Sequence, residues 1–240
     1  MTKKISLILL LLIVSSSTFA QRETTKNLPK FDHRFMHFGF LLGLNQANFV
    51  LNRNPPTVLG ADSAFIVEPK PAMGFNLGII SAMHFSEHFS LRFTPNLAFS
   101  SRTIGYTFQT SFDGVKKYDK IVESTLINFP LGIKYKSARV NNFSAYILAG
   151  AAYSLDLASS TDSENNSKIL KDMTVNILRD DFMGEIGFGT DFYLEYFKFG
   201  IELKMSYGLK GILNRENTPF TDPIEQLKTK MFLLSLTFEG

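Results

Sequence analysis

From Phe197 to Gly208 the chain alternates without a fault. Phe197, Phe199, Ile201, Leu203, Met205 and Tyr207 stand against Lys198, Gly200, Glu202, Lys204, Ser206 and Gly208. A period of two is the side-chain period of a β-strand, and a face so uniformly bulky suits lipid better than the core of a soluble sandwich. The closing stretch, Lys228–Phe238, repeats the pattern: Phe232, Leu234, Leu236 and Phe238 point one way, Met231, Leu233, Ser235 and Thr237 the other. Its length is about that of a membrane-crossing strand. Six further stretches alternate in the same way: Met36–Phe49, Ala72–Phe85, Phe89–Phe108, Ile121–Lys136, Phe143–Leu157 and Asp181–Tyr193. Pro95, inside the third of these, cannot donate to a ladder and predicts a bulge or a local gap.

The connections between these stretches alternate long and short. Ser86–His88, Ser137–Asn142 and Leu194–Tyr196 are tight, whereas Asn52–Lys70, the segment around Asp113–Lys117, Ala158–Arg179 and Leu209–Leu227 are loops. Outer-membrane barrels have an even strand number, short periplasmic turns, long outer loops and both termini in the periplasm. The predicted fold is therefore all-β, an eight-stranded antiparallel transmembrane up-and-down β-barrel. Within the loops, Leu170, Met173 and Ile177 at helical spacing predict a small helix, and Asp222-Pro223 predicts one helical turn over Ile224–Lys228.

The N-terminus changes where this barrel is expected. Lys3 and Lys4, an apolar run from Ile5 to Val14, and Thr18 and Ala20 at the small-residue positions make residues 1–20 a cleavable signal peptide. Residues 21–35 are polar and of mixed charge and read as a loosely ordered periplasmic lead-in, leaving residues 36–240 for the outer-membrane barrel. Cysteine is absent, which excludes disulfides, thiolate metal sites, cysteine nucleophiles and a lipidated N-terminus. Cleavage removes Lys3 and Lys4 and no acid, so the formal charge falls from +3 to +1, with no electrostatic case for nucleic acid.

An eight-stranded barrel is about wide enough for its own side chains, which argues against a diffusion pore. The inward rows carry Arg92, Arg102, Lys134, Lys198 and Lys204 against Glu185, Asp191 and Glu202, with Asn45, Asn76, Asn96 and Asn128 among them. These residues predict an ion network across the lumen, a stabilising plug before it is a proton path or a ligand site. His33, His37, His84 and His88 fall at the rim with the short turns, where His37 and His84 are close enough to meet. No carboxylate stands beside them at ligand spacing, so no metal site is expected. A lipid hydrolase needs a histidine near the outer leaflet, and none is placed there; the chain is read as non-enzymatic and cofactor-free.

Four segments carry a more specific likeness. KFDHRFMHFGFLLGLNQANF (Lys30–Phe49), ESTLINFPLGIKYKSARVNNFSAYILAGAAYSLDLAS (Glu123–Ser159), RDDFMGEIGFGTDFYLEYFKFGIELKMSYGL (Arg179–Leu209) and FLLSLTFE (Phe232–Glu239) resemble the PorT (SprT) family of the type IX secretion system. The resemblance implies a Bacteroidota outer-membrane protein required for export of cargo with a C-terminal signal: proteases, adhesins and, in gliding members, motility adhesins. It implies outer-membrane lipid and other type IX secretion proteins as partners, and it brings no catalytic residues. The loop Ala158–Arg179 and the final connection are the expected carriers of specificity.

Overall fold

The structure is a computed structural model, which describes residues 25–54, 66–110, 114–158, 176–214 and 220–240. The expected signal peptide and the loop residues Leu170 and Met173 lie outside them. The strands are β1 Met36–Arg53, β2 Ile66–Lys70, β3 Ala72–His84, β4 Phe89–Phe93, β5 Asn96–Thr110, β6 Gly114–Lys136, β7 Phe143–Asp156, β8 Asp180–Tyr193, β9 Lys198–Gly208 and β10 Ile224–Glu239. All pairings are antiparallel between neighbours, and β1 closes the ring by pairing with β10 on one side and β3 on the other.

These ten segments form eight staves, because two staves are interrupted at proline. Across Thr94–Pro95, between β4 and β5, the register continues: Ser81 faces Phe93 and Gly78 faces Asn96 on one side, Phe93 faces Leu131 and Asn96 faces Asn128 on the other. Backbone bonds from Ile79 N to Pro95 O (3.0 Å) and from Thr94 N to Pro130 O (3.1 Å) hold the interval together. Pro95 thus leaves a gap in the ladder and no bulge. At Pro71 the register does slip: Lys70 faces Thr103 but Phe75 faces Phe99, so one extra residue is accommodated between β2 and β3.

Three boundaries differ from the sequence-based expectation. Strand β2 lies in the segment expected to be loop, and β6 begins at Gly114, before the expected Ile121. The expected helical turn over Ile224–Lys228 is the start of β10, where Leu227 faces Leu51 and Ile224 faces Arg53. At 23 residues, β6 is more than twice the roughly 9–11 residues that cross a membrane.

Along the long staves the polarity inverts while the alternation stays in phase. On β5, Leu97 and Phe99 face outward against buried Asn96, Ser100 and Arg102; beyond them Thr103, Gly105 and Thr107 face outward against buried Ile104, Tyr106 and Phe108. On β6 the outward row runs from Tyr135, Ile133, Leu131 and Phe129 to Glu123, Asp119 and Lys117, with Ile121 the apolar exception. The first region is built for lipid outside and polar atoms inside, the second for water outside and an apolar core inside. That core joins Phe49, Val67, Ile104, Tyr106, Phe108, Val122, Ile177, Ile212, Phe220, Ile224 and Leu227. It forms a roof over the lumen at the end away from both described termini. Burial of each such side chain contributes about 1.5–3 kcal/mol.

Outward aromatic rings form two groups along the lipid-facing wall, as interfacial girdles require. Phe89–Tyr135, Phe143–Phe192, Phe192–Phe199 and Phe199–Phe238 contacts lie toward the short turns, and Phe75–Phe99 and Tyr153–Phe182 contacts toward the roof. Where the sequence predicts a loose lead-in, the structure has a stopper. Phe31–His33 forms a 3-10 turn with Phe31 only 3% exposed in the barrel end.

Candidate functional site

The lumen is filled in layers, and β4, β6, β8, β9 and β10 supply the charged one. Arg92 on β4 reaches Glu202 on β9 (2.5 Å), and Tyr146 on β7 donates to the same carboxylate (2.9 Å). Lys134 meets Asp191 (2.8 Å) with its ammonium 3.5 Å from the Tyr146 ring centroid. Lys198 bridges Glu239 (2.8 Å) and Asp191 (3.7 Å), and Arg92 also approaches Glu239 (3.7 Å). Bonds that run from one wall to the opposite wall close the bore at this level. Lys204 and Glu185 form a separate pair (2.9 Å), with Ser206 donating to Glu185 (2.8 Å).

Above this layer runs a girdle of amides. Asn45 donates to Asn76 (2.5 Å), Asn76 and Asn128 both donate to Asn96 (3.0 Å each), and Ser154 donates to Asn128 (2.6 Å). These bonds link β1, β3, β5, β6 and β7 through one inward row. Higher still, Arg102 donates to Ser124 (2.6 Å) and Thr229 (3.3 Å), lies 3.9 Å from Asp156, and stacks 4.7 Å from the Phe49 ring. It therefore sits apart from the other cations named from the sequence, at the boundary between polar lumen and apolar roof.

The structure places seven of the eight named residues in two groups, Arg92, Lys134, Asp191, Lys198 and Glu202 in one and Lys204 with Glu185 in the other, and leaves Arg102 to a third. Sequence reading overlooked Glu239, Tyr146, Asp156 and Thr229. Glu239 shares its face with Ser235 and Thr237, so parity along β10 was the available signal. A void of about 10 Å³ beside Arg92, Lys134, Asp191, Lys198 and Glu239 has room for a single water. Tight backbone supports these side chains: a Cβ at Gly200 would collide with Thr237 Oγ1 and stand 3.1 Å from Asp191 Oδ1.

The end with the short turns is sealed by the segment Lys26–Phe35. Phe31 stacks on His37 (3.7 Å between centroids) and meets His84 and Tyr193 edge-on, with Lys198 4.8 Å from its ring centroid. His37 and His84 are 4.8 Å apart, and one ring nitrogen of His37 bonds Phe31 O (2.7 Å). Asp32 bonds Lys136 (2.6 Å) and accepts from Tyr193 Oη (3.1 Å). Burial pushes the Asp32 carboxyl up, but the hydrogen bond and charge of Lys136, with Tyr193, outweigh it and hold the group below its ordinary range. Asn27 bonds Asn142 and Tyr193 O, and Arg139 donates to Asn27 O while covering the Tyr193 ring at 3.7 Å. Among the described residues no group of three His, Asp or Glu side chains is arranged around a metal position. His33, on the exposed side of the stopper, and His88, in the turn between β3 and β4, line an open cleft.

Residues 19–214 match the outer membrane protein beta-barrel domain family. The chain belongs to that family. A lipid-facing apolar wall, two aromatic girdles and a closed antiparallel ring are what integral residence in the outer membrane demands. Among solved structures it is similar to Neisserial surface protein A (9% identity, covering 83% of this chain and 95% of that one, TM-score 0.42). It is also similar to OprG of Pseudomonas aeruginosa (12%, 86% and 94%, 0.42) and to Ail of Yersinia pestis (15%, 86% and 100%, 0.38). No curated protein matches the chain.

Proposed function

We propose that this barrel is a non-catalytic component or assembly factor of the type IX protein secretion system, needed for export of cargo bearing the C-terminal signal. The secretion assignment rests on the four PorT-like segments, which together make up a little under half of the chain after residue 20 and are spread from Lys30 to Glu239. The manner of action rests on one observation: Arg92, Glu202, Lys134, Asp191, Lys198 and Glu239 bond across the bore. A barrel filled in this way carries no folded cargo, so it contributes through its surfaces, beside or before a larger translocon. Both termini and the short turns face the periplasm in this reading, and the roof faces outward.

A second reading, a small barrel that binds a ligand or partner at its outer loops without a secretion role, is favoured by the protruding β5–β6 hairpin with its polar exterior. One experiment separates them. A strain lacking the gene is compared with its parent for culture-medium and outer-membrane proteomes. Loss of C-terminal-signal cargo from the medium, its accumulation in the periplasm and unchanged levels of other barrels are expected. Intact cargo export would overturn the secretion assignment and leave the second reading.

A further inference from the structure

We propose that the barrel end bearing the short turns is a peptide-binding seat, specific for an aromatic side chain followed by a carboxylate, and that Lys26–Phe35 is its resident, exchangeable occupant. A partner protein presenting a turn-forming segment of that chemistry competes for the seat. The proposal is independent of the secretion assignment.

The recognition chemistry is divided between two neighbouring side chains. Phe31 enters a slot made by the stacked face of His37, the edges of His84 and Tyr193 and the Lys198 ammonium, an arrangement selective for an electron-rich ring. Asp32 engages Lys136 and Tyr193 Oη, while Asn142 and Arg139 hold the backbone of Asn27. Main-chain bonds thus fix the segment while two consecutive side chains of its 3-10 turn are read, one by an aromatic slot and one by a cation and a phenol.

Three features make the occupant exchangeable rather than a fixed part of the barrel. Of residues 25–35 only Phe31 is buried, and its neighbours Lys30, His33, Arg34 and Phe35 are exposed. Leu28 is held at φ 49°, the left-handed region that a leucine adopts at a cost recovered on release. An open cleft of about 310 Å³ remains beside the segment, lined by Lys26, Pro29, His33, His88, Ala138 and Arg139. The segment itself forms one wall of this cleft, through Lys26, Pro29, Asp32 and His33. A competing chain thus has a place to land before Phe31 leaves.

The test uses the full chain folded in detergent and a fluorescent peptide of residues 26–34, KNLPKFDHR. In the Phe31→Ala chain the slot is vacant, so the peptide binds saturably and at least tenfold more tightly than to the native chain, where the resident competes. A peptide carrying alanine in place of Phe31 fails to bind, and Lys136→Ala in the Phe31→Ala chain weakens binding severalfold. Heat-modifiable migration establishes that each variant is folded; should Phe31→Ala not fold, Asp32→Ala, at a partly exposed position, vacates the carboxylate half of the seat instead. A folded variant that does not bind the peptide would overturn the proposal. Equal binding to native and vacated chains, insensitive to the alanine in the peptide, would do the same.

Discussion

The membrane-facing belt and the roof are built from the same strands with the same alternation, yet each turns the opposite face to its surroundings. Leu131 on β6 is 50% exposed and outward while Asn128 is buried; a few residues on, Val122 is buried while Glu123 is outward. Strand geometry alone says which residues share a face. Which face is apolar is set by the solvent on each side, and the change of sign between Arg102 and Ile104 marks where the wall leaves lipid. The belt is held by directional bonds between buried ions and amides, the roof by apolar packing.

That contrast predicts unequal responses to mutation. The largest expected effect is Gly200→Arg: with Thr237 and Asp191 against the glycine, the variant does not reach the membrane folded, as heat-modifiability would reveal. Normal level and migration would mean that this row does not face a filled lumen. Next, Glu202→Ala removes the short partner of Arg92, leaving only Glu239 at 3.7 Å, takes the acceptor from Tyr146, and destabilises the belt by about 3 kcal/mol in urea unfolding, whereas Arg92→Met with Glu202→Leu recovers part of the loss. Ile104→Ala removes roof packing at a cost of about 2–4 kcal/mol, confined to the β5–β6 hairpin. Protease then cuts that hairpin faster while the belt still shows heat-modifiability; a belt that melts with it would deny that the two regions are separate.

Smaller effects sharpen the same line. Lys70 and Asp119 form a 2.7 Å pair on the outside of the roof, about half exposed, so Lys70→Ala costs less than about 1 kcal/mol. At the other end the Asp32 carboxyl is lowered by Lys136, so the ion pair supports the stopper above about pH 4 and is lost as pH falls through the lowered value. A fluorophore at Thr25 reports loosening on acidification, and Asp32→Asn abolishes that pH dependence.

The eight staves were legible because bulky residues alternate wherever lipid covers one side. Strand β2 and the first residues of β6 were not: Glu68 and Lys70 face outward on β2, Lys116 and Lys120 share the inward row of β6 with Tyr118 while Lys117 and Asp119 face outward, so neither carries a bulky lipid face, and Pro69 and Pro71 interrupt the pattern. The start of β10 was hidden by Asp222-Pro223, which mimics a helix start, although Ile224 and Leu227 are claimed by the roof. Lumen charges could be found by parity, and Glu239 was overlooked only because the strand was ended at Phe238. The stopper offered no period at all. Its hold depends on Phe31 and Asp32, and only the folded barrel brings His37, Lys136, Tyr193 and Lys198 around them.

The chain contains no tryptophan, so a single introduced one reports its own depth. Leu131→Trp and Lys117→Trp occupy the same outward row of β6, one in the belt and one on the roof. In bilayers containing lipids brominated along the acyl chain, the account predicts strong quenching at residue 131 and almost none at residue 117. Comparable quenching at both positions would contradict it, placing the whole strand in lipid and removing the roof from the water.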